Sequence, residues 1–166
     1  MELSEIKHLF EEHAPCEKGR EQFLACRTRV QVFNLVASPY AYDYVMRSIS
    51  EGWGPSTLEF ARTFKPYING KRTVYYSTTE KKIPIQVWCN TDRVEVDSDV
   101  RWVMLIGCSG HIEIPEWQTV KLIVDKNTNV LVDAAQSSLV YVENYGGKVM
   151  DINGNCRIRN KMNGNG

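Results

Sequence analysis

The stretch Ser137–Ile158, SSLVYVENYGGKVMDINGNCRI, sets Val140, Val149 and Ile158 nine residues apart, with Asn and Gly breaking the apolar positions at nearly even intervals. Asn and Gly suit tight turns because both tolerate a positive φ. The stretch therefore reads as short strands joined by turns. Extending the step of nine outward keeps the pattern. Leu122, Leu131, Val140, Val149 and Ile158 fall in one column, and Leu105, Ile114, Ile123, Val132, Tyr141 and Met150 in a second. Val94, Val103, Ile112, Lys121, Val130 and Leu139 nearly fill a third. A β-meander or sandwich, with strands of about five residues and turns of about four, produces such a beat. So does a short β-solenoid, which stacks equivalent residues of successive rungs into an apolar ladder. Hairpin loops vary in length, so columns this well kept favour the solenoid, with every ninth side chain in the same interior row. Neighbouring columns are apolar too, where a half-exposed strand would alternate. The extra column is available to face another unit or a partner.

Upstream of the repeats the text is helical. Ser4 is placed to cap a helix carrying Ile6, Leu9 and Phe10, which Pro15 ends. Phe23, Cys26, Val30, Phe33 and Ala37 recur at steps of three and four, predicting one helix over 17–37, with a strand at VQVFNLV, where β-branched Val partly alternates, as the alternative. Ser38 and Pro39 open a third helix, which Gly52 and Gly54 stop. In PSTLEFARTFKPY, Ser56 and Glu59 have capping-box spacing, Leu58, Ala61 and Phe64 face inward, and Pro66 ends the helix. The fold class expected is α+β. A helical unit (1–70) leads through a β-hairpin connector (71–92) to a mainly β unit with a nine-residue repeat (93–160) and a flexible tail (161–166).

Composition narrows function by exclusion. The 166 residues carry twenty basic and twenty acidic side chains, so bulk charge draws the chain neither to nucleic acid nor to an anionic membrane. No apolar run approaches the ~20 residues of a bilayer span. The opening MELSEIKHLFEEH is acidic and lacks the apolar core of a signal peptide. Five scattered cysteines, odd in number, fit a reducing, cytoplasmic setting. No cofactor-binding fingerprint occurs, because the glycines form neither phosphate-cradling motif.

Three clusters hold chemistry-bearing residues. In GCSGH, Cys108 and His111 are candidates for a nucleophile and base or for zinc ligands, with Cys89 as a third member. The plainer reading is a turn between two apolar strands. His8, His13, Cys16 and Cys26 offer four nitrogen or sulfur donors, but histidines five apart splay by roughly 140° on a helix. Asp92, Glu95, Asp97 and Asp99 crowd DRVEVDSDVRW, where strand geometry puts the last three on one face, as in paired-carboxylate or cation sites.

Two resemblances follow from these residues. Two helices separated by GWGP and followed by KRTVYYSTTEKKIPIQVW resemble a winged helix-turn-helix. That resemblance implies nucleic-acid binding with Lys71, Arg72, Lys81 and Lys82 on phosphate. The second helix, however, carries Glu59 and only Arg62 and Lys65 as basic residues, without the array that reads base edges. The Val-rich lines of the last 75 or so residues, broken by Asn and Gly, resemble the repetitive β tails of many bacterial and phage proteins. That likeness implies a phage or mobile-element origin and supplies no catalytic residue. The aromatic side chains Tyr40, Tyr44, Trp53, Tyr67, Tyr75 and Tyr76 gather before the repeats, and rings of this kind give large contact area at low entropic cost. The function expected is therefore a non-catalytic protein-binding module, an inhibitor of a host defence protein or a virion accessory protein being concrete forms. An open last rung also makes homo-oligomer formation an expectation. A nucleic-acid binder and a small Cys/His or zinc enzyme are the alternatives.

Overall fold

The helical segments form because each has a cap and one apolar stripe. The computed structural model describes residues 1–13, 16–76 and 82–161, with the backbone alone at Phe10, Thr73 and Tyr76. Helix α1 spans Leu3–Glu12 and is capped by Glu2, whose side chain and that of Glu5 form a reciprocal box. Ser4 thus lies inside the helix. The helix expected over 17–37 is two, α2 (Glu17–Ala25) and α3 (Arg29–Val36). The break comes from Thr28. Its hydroxyl accepts from the Gln31 amide at 3.2 Å, and the Gln31 side chain accepts from the amides of Arg27 and Thr28. A 3-10 turn at Pro39–Ala41 leads into α4 (Tyr42–Glu51), which Gly52 ends in a left-handed conformation at φ 75°. A second 3-10 turn, Gly54–Ser56, precedes α5 (Leu58–Ile68). Thr57, not Ser56, caps α5, accepting from the Phe60 amide. Pro66 sits in the last turn of α5 without ending it, and Leu58 is exposed while Phe60, Ala61, Phe64 and Ile68 are buried.

Strand β1 (Lys71–Tyr76) pairs antiparallel with β2 (Lys82–Cys89). From β2 onward pairing is parallel. The remaining strands are β3 (Trp102–Ile106), β4 (Ser109–Ile114), β5 (Thr119–Val124), β6 (Asn129–Ala134), β7 (Leu139–Asn144), β8 (Lys148–Asp151) and β9 (Cys156–Asn160). They alternate between a large sheet, ordered β1-β2-β3-β5-β7-β9, and a small one, β4-β6-β8. From β3 on, each strand therefore bonds to the next but one, which is the stacking of solenoid coils and not a meander of hairpins.

The coils are there, but nine is not their period. Thr119 lies beside Leu139 and Ser109 beside Asn129, each twenty residues on. The last coil is shorter, with Val140 beside Cys156. The interior rungs are Val103–Leu122–Val142–Ile158 in the large sheet and Ile112–Val132 in the small one. A step of nine is odd, and strand side chains alternate faces with period two. Leu122 and Val140 accordingly point into the core at 0% exposure, while Leu131, midway between them, points out at 40%. The single interior row of every ninth residue is thus corrected: Leu122 and Val140 lie in the core and Val149 packs against it beside Val130, but Leu131 leaves the row for the outer face.

The apolar outer column has a physical cause in the large sheet. Its inner face builds the solenoid core from Val103, Leu105, Val120, Leu122 and Val142. Its outer face offers Ile85, Met104, Ile106 and Ile123 to the helices, where they join Phe33, Ile49, Phe60 and Phe64 in a second core. One sheet thus separates two cores, and its strands must be apolar on both sides.

One buried carboxylate joins the two units. Asp125, fully buried at the turn after β5, accepts from the Gly107 amide at 2.9 Å and the Thr128 hydroxyl at 2.7 Å on one oxygen. The Ser56 hydroxyl reaches the other oxygen at 3.2 Å. Asn127 bonds the Ser56 carbonyl at 2.9 Å, and Lys126 bonds the Gly52 carbonyl. The turn 125–128 is thereby bonded to the turn that precedes α5. Gly107 has φ 62°, and a Cβ there would meet Leu58 Cδ2 at 3.0 Å, so the contact also needs a glycine.

The stacking predicts unequal costs at two leucines that a nine-residue row would make equal. Leu122→Ala should cost about 3 kcal/mol in urea unfolding, while Leu131→Ala should cost less than about 1 kcal/mol. Asp125→Ala should cost about 3 kcal/mol, because it leaves buried donors without an acceptor. Chemical denaturation monitored by far-UV circular dichroism measures all three.

Candidate functional site

The six aromatic residues picked out in the sequence do not form one surface. Tyr40 is 81% exposed, standing in the 3-10 turn with the Lys18 ammonium 5.9 Å from its ring. Tyr44 is half-buried on α4. Both line an apolar groove of about 130 Å³, floored by Phe23, Leu35 and Val36 and open between α2 and the 3-10 turn. Trp53 is buried, with the His13 ring stacked 4.2 Å away and Tyr44 meeting it edge-on. Tyr67 is exposed on α5, away from the groove lining, and leans on Phe33. Tyr75 belongs to a separate stack with Tyr42, 4.0 Å away, beside Trp102. The side chain of Tyr76 lies outside the described residues. Burial pushes the hydroxyls of Tyr42 and Tyr44 up from their ordinary range, so neither is an acid or base near neutrality.

GCSGH is a corner of the solenoid. Cys108 points inward at 1% exposure, its thiol against the Trp88 carbonyl at 3.2 Å. Burial raises its pKa to about 11, despite backbone hydrogen bonds that pull the other way, so almost no thiolate exists at neutral pH. His111 faces outward on β4, with Asp133 at 3.5 Å and Glu113 at 3.9 Å. The strand pleat aims the two side chains to opposite faces, so they do not make a nucleophile–base pair. Gly110, at φ 93°, allows the coils to close, since a Cβ there would lie 2.6 Å from the Asp92 carbonyl. Cys89 is buried, and its pKa is likewise raised by burial. His8 pairs with Glu12 and His13 with the Trp53 ring. Among the described residues, no group of three or more His, Cys, Asp or Glu side chains is arranged to hold a metal ion.

The carboxylates and cations of the alternatives meet each other. Glu95, Asp97 and Asp99 do not share a strand face. Glu95 pairs with Arg93 at 3.0 Å, and Asp97 and Asp99 both pair with Arg72. Lys71 leaves β1 on the opposite side and bonds the Asn34 side chain at 2.8 Å. Lys82 is exposed and Lys81 lies outside the described residues. Arg72 is thus matched by carboxylates, and Lys71 and Arg72 do not share a face. Among the described residues, no helix is long and apolar enough to cross a membrane.

Two exposed features stand apart from these clusters, one unforeseen and one expected from the sequence. Trp117, at the turn before β5, is 82% exposed with φ 64°, a left-handed conformation unusual for a bulky residue. The second is the open last coil. Ile158 belongs to the interior rung of Leu122 and Val142 yet is 41% exposed, because no strand follows β9 among the described residues. The turn before β9 is held by Asp151, which accepts from the amides of Cys156 at 2.7 Å and Gly154 at 3.0 Å. Partial burial acts to raise the Asp151 pKa, but these bonds outweigh it and hold the carboxyl below its ordinary range. Odd steps around the turns hid the exposure of Trp117, since the side of a strand is not readable until the turns are counted.

Compared with models of protein families, with curated proteins and with solved structures, the chain matches none.

Thiol accessibility yields a direct check. With iodoacetamide at pH 7.5, Cys16 should be modified first, while Cys89 and Cys108 remain unmodified until the protein unfolds. Peptide mass spectrometry reads the order, and rapid modification of Cys108 would contradict its burial.

Proposed function

We propose that this chain is a non-catalytic binding module whose partner is a protein, engaged through the groove between α2 and the 3-10 turn at Pro39–Ala41. The observation that carries the reading is Tyr40, a large amphipathic ring 81% exposed at the mouth of an apolar groove. A ring so placed has little to contribute to its own fold, and Tyr is among the side chains that dominate binding energy when a partner desolvates them. The groove offers apolar walls from Phe23, Leu35 and Ala41 with Lys18 and Gln22 at its rim, which suits one or two apolar side chains of a partner with polar neighbours. The inward Cys108 and outward His111 weigh against the thiol-enzyme alternative. The carboxylates around Arg72 weigh against the winged-helix one.

A more specific form, a phage-encoded inhibitor of a host defence protein or a virion accessory protein, rests on the resemblance of the repeats to phage and bacterial β tails. A cytoplasmic setting is supported by the five free cysteines.

Capture from the native host with nuclease-treated lysate tests the reading. Immobilised wild-type chain should retain a discrete polypeptide, and Tyr40→Ala, a surface change expected to leave stability within about 0.5 kcal/mol, should lose at least tenfold of it. Retention of nucleic acid alone, or of the same polypeptide in equal amount by Tyr40→Ala, would contradict it.

A further inference from the structure

The open end of the large sheet is shaped for a different contact. Among the described residues, strand β9 pairs with β7 on one side only, from Val140 beside Cys156 to Asn144 beside Asn160. Its free side presents backbone amides and carbonyls, and its inward residue Ile158 leaves the last rung of the core 41% exposed. Arg157 and Arg159 share the outer face of β9, followed by Lys161. Arg157 lies over the Tyr141 ring at 5.7 Å. Glu143, opposite Arg159 in the register of β7 and β9, is taken by Lys121 at 3.0 Å and Lys161 at 4.0 Å. Among the described residues neither Arg157 nor Arg159 has a carboxylate partner. The edge therefore combines unpaired backbone, an uncovered apolar row and alternating positive charge.

We propose that β9 is a docking edge for an acidic, extended segment of a partner protein, which adds as a further strand of the large sheet. Carboxylates at alternate positions would lie across from Arg157 and Arg159, and the apolar residue between them would cover Ile158. Backbone bonds then supply affinity, and the alternating charges supply specificity. The charges disfavour the chain itself as occupant. Antiparallel pairing of β9 with its own copy about Ile158 sets Arg157 against Arg159 twice. Pairing with β1, the other edge of the same sheet, brings one further cation, Lys71 or Arg72, onto the face of the same arginines. Like charges directly opposite oppose pairing, and edge cations are a common guard against self-association. A nucleic-acid strand would satisfy the cations but neither the backbone groups nor Ile158. This inference is independent of the Tyr40 groove.

A fluorescent heptapeptide of alternating glutamate and valine is the probe, with its lysine–valine counterpart and an oligothymidine of similar charge as comparisons. The acidic peptide should bind saturably at 50 mM salt, and the lysine peptide should not. The double variant Arg157→Glu/Arg159→Glu, with an unchanged circular dichroism spectrum, should weaken binding at least tenfold, while Tyr40→Ala leaves it unchanged. Hydrogen exchange should slow within β9 when the peptide is bound. No saturable binding, equal binding by the charge-reversed variant, equal or tighter binding of oligothymidine, or binding that leaves β9 exchange unaltered would each overturn the proposal.

Discussion

The structure turns on the carboxylate of Asp125. A charge held at 0% exposure is costly unless its oxygens are satisfied. Here four donors converge on two oxygens, from Ser56, Gly107, Asn127 and Thr128. The donors come from three parts of the chain: the turn before α5, the corner after β3, and the turn that follows Asp125 itself. None of those backbone segments is free to move without exposing or orphaning the others. The carboxylate therefore fixes the approach of the helices to the stacked coils, and its cost is offset only when both units are in place.

That docking explains the composition of the strands. Where the helices cover the large sheet, β3 and β5 carry apolar residues on both faces: Leu105 and Leu122 face the solenoid core, and Met104 and Ile123 face the helical core. Beyond the cover, the outer face changes character. Lys121 lies over the Trp102 ring and bonds Glu143, and Tyr141, Arg157 and Arg159 succeed them toward the free edge. The boundary between covered and bare sheet thus runs through β5, and the two surfaces argued to bind partners lie on opposite sides of it. One is an apolar groove among helices, the other a charged edge at the end of the coils.

Much of this was legible in the sequence. The change from helical to β text and the regular Asn-Gly breaks carried the α+β class and the stacking of coils. The period was not legible, because residues on both faces of the covered strands are apolar and the nine-residue columns stayed full while mixing inward residues such as Val140 with outward ones such as Leu131. Leu131 shows the difference: chemically equivalent to Leu122, it lies on the outer face of the uncovered small sheet. The break at Thr28 was available, since Thr28 and Gln31 have capping-box spacing, but the apolar steps through Phe23, Cys26 and Val30 masked it. Asp125 had no local signature. An Asp in a DKNT turn reads as solvated until Ser56 is brought from 69 residues away to cover it.

The central claim is that helices and coils form one cooperative body through that buried carboxylate. Native-state hydrogen exchange across a urea series tests it most directly. The account predicts that amides of α5 and of β3 and β5 merge into a single opening of equal free energy and equal urea dependence. Exchange of α5 through a separate, lower-energy opening, with β3 and β5 still protected, would contradict it.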